Sequence, residues 1–228
     1  MSVFFRRRGK ASVLDAIFAN NSWEEIIAAC QSGNVPDSWA VGDSKAMTIN
    51  GTSYQIDIIG KNHDTYTAGG TAPLTFQMHD CYDTEYTMNS ANTNRGGWTS
   101  CPMRSTHLPA ILALMPSEVQ AGIREVNKLT SAGSQSSTIN TTADKLFLLS
   151  EIEIFGFVKY SKSGEGSQYA YYKAGNSKVK KFYGRANDWW ERSPFGSDST
   201  SFCYVSNKGG ASGDFAPLSY GVAFAFCF

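Results

Sequence analysis

The sequence predicts an α+β fold of short helices and a small twisted antiparallel sheet. Three observations carry this. A capped helix signal at Ser22 is followed by a hairpin signal at Asn50-Gly51, and the last forty residues alternate aromatic runs with Gly- and Ser-rich joints. Charged residues are 18% against roughly 25% in an average domain, while aromatics reach 13%. A disordered chain has the opposite balance and is excluded.

The elements follow in order. Ser22 with Glu25 three residues on makes a capping box; Ile26, Ile27 and Cys30 give the helix an apolar face and Gly33 a stop. Asn50-Gly51 tolerates the positive φ of a tight turn, so residues 39–60 read as a hairpin. Residues 74–78 read as a short strand. Leu108, Ile111, Leu112, Leu114 and Met115 are spaced as on a helix; Pro116 interrupts, and Ser117 is placed to cap a second helix carrying Val119, Ile123 and Val126. Residues 130–143 are rich in Ser and Thr and read as an exposed loop. From residue 144 onward the apolar runs 146–149, 152–158, 189–190, 202–205 and 222–228 read as strands, the last one paired inside a sheet. Glu151 and Glu153 then share one face of a strand, which the flanking apolar runs make a solvated face.

Charge narrows the function classes. Lys and Arg total 20 and Asp and Glu total 20, so there is no basic excess for general nucleic-acid binding. No apolar run is long enough for membrane insertion, and Val3, Phe4 and Phe5 precede the arginines, the reverse of a secretory signal. Five widely spaced cysteines, Cys30, Cys81, Cys101, Cys203 and Cys227, read as buried reduced thiols. His79 and Cys81 flank Asp80, but the sequence places no base against the thiol. No paired Cys or His spacing marks a metal site, and no glycine loop has the setting of a phosphate cradle, so neither metal nor cofactor is expected.

The C-terminal segment is the informative one. Trp189, Trp190, Arg192 and the following aromatic strands read as a stiff frame, with Arg192 fixing carbonyls or a carboxylate through its planar fork. The loops between them, over 196–219, carry Ser, Asp, Asn, Tyr and Gly, a mix suited to adaptable recognition. Ser197, Asp198, Ser199, Tyr204, Asn207 and Asp214 are the candidate ligand-binding residues.

The Trp-Trp-Glu-Arg-Ser-Pro run at 189–194 resembles the W-W-x-R-S-P signature of bacteriophage tail-associated proteins that carry a domain of uncharacterised function. Further matches follow in order along the chain: 39–43, 58–60, 62–64, 88–89, 94–98, 103–104, 114–116, 144–151, Gly156 and 165–169. The resemblance covers roughly residues 22–228. It implies a C-type-lectin-like domain over 21–228, a fold shared with formylglycine-generating enzymes and variable phage receptor-binding proteins. The close cysteine pair of that enzyme branch and the Glu-Pro-Asn, Gln-Pro-Asp and Trp-Asn-Asp motifs of calcium lectins do not occur. The implied function is therefore adhesion without catalysis: a virion protein that binds a bacterial cell-surface receptor, glycan or protein, through its C-terminal loops. Residues 1–20, with Phe4, Phe5, Arg6, Arg7 and Arg8, would attach it to other tail proteins. The resemblance also implies a homo-oligomer, a trimer as in many tail fibres, although no heptad stalk is present. The loop composition matches what adenine-targeted diversification of asparagine codons yields. Glu191 stands where the family commonly has an apolar residue, so a charge facing solvent or ligand is expected there. Two other readings fit the sequence: a structural decoration of the virion or baseplate, and a wall or glycan hydrolase using carboxylates such as Glu151, Glu153 and Glu165.

Overall fold

The computed structural model describes residues 13–228; Phe4, Phe5, Arg6, Arg7 and Arg8 lie outside the described residues. The first helix, α1 (Trp23–Ser32), has the expected reciprocal box: Ser22 Oγ accepts from the Glu25 N–H and Glu25 accepts from the Ser22 N–H. Gly33 ends it at φ +71°, a left-handed conformation that costs glycine little. β1 (Ser44–Ile49) and β2 (Thr52–Lys61) form the predicted hairpin, with Ile49 opposite Thr52 across Asn50-Gly51. β3 (Leu74–Met78) is buried along its whole length because it is an inner strand.

Beyond β3 come β4 (Tyr86–Thr87), α2 (Gly97–Ser100), a wide π-type turn over Met103–His107, α3 (Leu108–Leu112) and α4 (Ser117–Gly122). They are followed by β5 (Val126–Ser131), β6 (Ile139–Asp144), α5 (Glu151–Phe155), α6 (Ala170–Lys173), β7 (Lys180–Phe182) and β8 (Arg185–Asn187). The chain continues through β9 (Trp189–Pro194), β10 (Ser201–Val205), β11 (Ala211–Phe215), β12 (Ser219–Tyr220) and β13 (Ala225–Cys227). One antiparallel sheet has the order β1-β2-β3-β13 and a second the order β11-β10-β9; the pairs β4–β12, β5–β6 and β7–β8 complete the α+β architecture. Among the described residues no helix is long and apolar enough to cross a membrane.

Phe76 of β3 centres the larger core, with ring centroids 5.2 to 6.1 Å from Phe18, Trp23, Phe226 and Phe228. Phe18 is 1% exposed and Trp39 donates its indole N–H to the Asp15 carbonyl, so the described part of the 1–20 segment is tied to the body at these two points, while Val13 and Ile17 stay exposed. All five cysteines are buried free thiols.

Four local expectations are corrected. The second helix stops at Gly122, and Val126 opens β5 instead of continuing a helical face. A Cβ at Gly122 would sit 2.6 Å from Ile27 Cδ1, so the glycine is spent on bringing α4 against α1. Ser117 is the first helical residue; the cap is Pro116, with no side-chain hydrogen bond. The loop expected at 130–143 is largely the β5–β6 hairpin, since a Thr-rich stretch serves a half-exposed strand pair as well as a loop. Finally, Glu151 and Glu153 are not on a solvated strand. They open α5, capped by a second reciprocal box between Ser150 and Glu153, and both are buried.

Candidate functional site

A chain of buried charges fixes the frame under the C-terminal loops. Lys128 Nζ lies 2.8 Å from both Asp64 Oδ1 and Glu153 Oε1. Arg192, fully buried in β9, grips Glu153 with both terminal nitrogens, at 2.5 and 2.8 Å. Its guanidinium also donates to the carbonyls of Leu129, Leu148 and Glu165 and to Thr130 Oγ1, so one side chain ties β5, α5 and the 165 loop to β9. The signs alternate along the four groups, which is what makes their burial tolerable. Burial pushes Asp64 and Glu153 up, but the charges beside them win: Lys128 holds Asp64 down at about 2, and Arg192 with Lys128 holds Glu153 below the usual carboxylate range. Trp189 and Trp190 are fully buried and donate their indole N–H groups to the carbonyls of Lys178 and Tyr86.

Glu191, on the same strand, corrects the expectation of an outward charge. It is fully buried, and neither carboxylate oxygen has a hydrogen-bond partner. Burial first, then the neighbouring Glu151 and Glu165, raises its pKa well above the usual value, so the group is a neutral acid. Glu151 itself is consumed as an anchor, accepting from the N–H groups of Lys159, Tyr160 and Ser161 and from Ser161 Oγ.

The six candidate ligand-binding residues do not form one surface. Ser197, Asp198 and Ser199 lie in the β9–β10 turn, whereas Asn207 lies in the β10–β11 turn at the opposite end of the sheet. The five residues of β10 separate the two turns by about 16 Å. Ser197 and Ser199 are exposed; Asp198 braces its own turn by accepting from the N–H groups of Thr200 and Ser201. Asn207 is exposed and its N–H is held by Asp188 Oδ1.

Tyr204 and Asp214 do come together, through Tyr220, which sequence reasoning missed. Tyr220 donates its hydroxyl to Asp214 Oδ2 at 2.7 Å, and its ring lies 4.9 Å from Tyr204 and 4.7 Å from buried Trp190. Tyr220 pairs with Tyr86 across β12–β4, and the Tyr86 ring in turn lies 4.5 Å from His107. The result is a belt of half-exposed rings with a carboxylate at one side, laid on a rigid tryptophan. Tyr86 and Tyr220 stand 134 positions apart in sequence, and nothing near either one signals their contact. Gly213 is required beside it: a Cβ there would meet the Phe195 ring at 2.1 Å.

The turn at 195–200 is held from outside by Asn94, which is fully buried. Its amide donates to the carbonyls of Phe195, Asp198 and Ser201, and its Oδ1 accepts from the Ser134 N–H. Asn94→Ala is expected to cost about 3 kcal/mol, since several buried backbone groups lose their partner at once. Urea unfolding would measure it; a loss below about 1 kcal/mol would show that water replaces the amide.

No reactive pair forms at residues 79–81. His79 is exposed and its Nδ1 lies 2.7 Å from buried Asp57, a contact that raises the imidazole pKa. Cys81 is buried, and that burial pushes its thiol up to about 12. Among the described residues no group of three His, Cys, Asp or Glu side chains is placed to hold a metal ion.

No curated protein and no solved structure matches the chain. A model of the family described as a domain of unknown function, DUF6273, matches residues 74–228, more than half of the sequence. That stretch contains β9 with its buried arginine, the belt of rings and Asn94. The chain belongs to the DUF6273 family.

Proposed function

We propose that this protein is a receptor-binding component of a bacteriophage tail or fibre tip, located on the virion, which attaches to a bacterial surface ligand without catalysing a reaction. In this reading residues 21–228 are a C-type-lectin-like adhesion domain, the segment at residues 1–20 joins other tail proteins, and the assembly is a homo-oligomer. The motif resemblance over 22–228 motivates it. The observation that carries it is the half-buried Tyr204–Tyr220–Asp214 surface on its fixed frame. Rigid rings supply contact area at little entropic cost, and the carboxylate supplies direction. The Tyr220 hydroxyl is already committed to Asp214, and burial followed by that bond raises its pKa, so it stays a neutral hydrogen-bonding group.

The test is competition. Soluble protein added before the phage is expected to block adsorption to the propagating host. Tyr204→Ala and Tyr220→Ala are each expected to weaken that block about tenfold, the loss typical of a central aromatic contact. Circular dichroism of the variants separates lost binding from lost folding. Unchanged adsorption at saturating protein would overturn the proposal in favour of a structural decoration, and release of sugars or peptides from host envelope would overturn it in favour of a hydrolase.

A further inference from the structure

A separate cavity of about 290 Å³ lies between α3 and the end of β6, lined by Arg104, Leu108, Leu112, Glu125, Lys145 and Leu146 among others. A second cavity of about 360 Å³ shares Glu125 and Lys145 with it and continues past Arg124 and Thr67. Together they make one groove whose parts fall in the size range of small-ligand sites.

Its cations are arranged unequally. Arg104 is pinned: Nε donates to Asp144 Oδ1 at 2.5 Å and one terminal nitrogen donates to the Ala143 carbonyl. Asp144 also accepts from the Trp98 indole N–H and the Thr142 hydroxyl, so it orients the guanidinium from behind. The other terminal nitrogen of Arg104 has no hydrogen-bond partner among the described residues, and its side chain is 25% exposed. Lys145 is exposed and makes no ion pair or side-chain hydrogen bond among the described residues. A fixed guanidinium edge and a free ammonium on one cavity are what a carboxylate binds best. The other wall is aliphatic, with Leu108, Leu112 and Leu146 along it. Glu125, at the mouth shared with the second cavity, opposes a ligand that is anionic along its length and accepts N–H donors.

We propose that this groove binds a short peptide by its free terminal carboxylate, with the carboxylate between Arg104 and Lys145, an aliphatic side chain against the leucines, and the preceding peptide N–H groups toward Glu125. The inference is independent of the adhesive reading and uses none of its residues.

The probe is N-acetyl-alanyl-leucine as free acid, compared with its C-terminal amide and with acetate, titrated into the full chain and followed by two-dimensional NMR. The free acid is expected to bind saturably, with shifts confined to residues 104–112, 123–125 and 143–146. The amide is expected to bind at least about tenfold more weakly, as loss of a charge-assisted contact implies. Lys145→Ala, which breaks no contact of the fold, is expected to weaken the free acid about fivefold with thermal unfolding unchanged. No saturation by the free acid up to about 10 mM would overturn the proposal. So would equal binding of acid and amide, or an unaffected Lys145→Ala. Acetate binding as tightly as the peptide would reduce the groove to a general anion pocket and refute the aliphatic half.

Discussion

Arg192→Leu is expected to destabilise the protein by about 4 kcal/mol, the cost of leaving a buried charge without its partner. The side chain is fully buried and holds Glu153 with two nitrogens while satisfying three carbonyls from three different segments. Without it, Glu153 keeps the Ser150 N–H and one cation, Lys128, which is already shared with Asp64. Total stabilities of domains lie near 5–15 kcal/mol, so a large part of the margin is lost. Arg192→Lys keeps the charge but not the fork, and is expected to recover less than half of the loss. Urea midpoints of the three proteins decide this. A cost below about 1 kcal/mol for the leucine variant would mean that the network is rebuilt around water or that Glu153 is neutralised at little expense.

Glu191→Met is expected to act in the opposite direction, raising stability by about 2 kcal/mol at neutral pH by replacing an unpartnered buried acid with an apolar side chain. The larger signature is in pH. In the unfolded chain Glu191 ionises above about 4.3, whereas in the folded protein burial and the carboxylates of Glu151 and Glu165 keep it protonated. The folded state then holds the extra proton, so stability falls as pH rises above that value. Glu165 contributes with the same sign; burial raises its pKa to about 7, so its share is lost between about pH 4.5 and 7. Asp64 and Glu153 have lowered values, and their share is lost only as pH falls from about 4 toward 2. Wild-type stability is thus expected to peak near pH 4–5 and decline toward pH 8. The Met variant is expected to keep the shares of Glu165 and of His79, whose pKa Asp57 raises, and to lose that of Glu191. Urea unfolding at pH 5, 6, 7 and 8 measures both slopes, and identical slopes would show that Glu191 is ionised in the folded state.

What the sequence made legible was whatever a few neighbouring residues decide. The Ser22–Glu25 box, the stop at Gly33 and the Asn50-Gly51 turn are local devices, and each sits where its chemistry placed it. The same device at Ser150–Glu153 escaped notice because the apolar run behind it also fits a strand, and the helix it caps is only five residues long. Val119, Ile123 and Val126 match a helical spacing, yet pairing with β6 claims the last of them. At the candidate site, Tyr204 and Asp214 were identifiable by type, but Tyr220 joins them only in space. The charged chain from Asp64 to Arg192 depends on partners from four distant segments, and nothing near any one of them announces the others. Arg192 alone could be read as a carbonyl and carboxylate clamp, because a guanidinium amid tryptophans has few other uses.

The order β1-β2-β3-β13 has a consequence for how the protein can be dissected. The family match opens at Leu74, the first residue of β3, yet that strand lies between β2 and β13. Excision at the match boundary would strip β3 of one neighbour along a wholly buried strand and uncover the Phe76 ring face covered by Phe18 and Trp23. A raw edge of that composition invites pairing between molecules. The cooperative unit therefore starts upstream of the matched stretch, and the residues before 74 are part of its sheet and not an accessory to it.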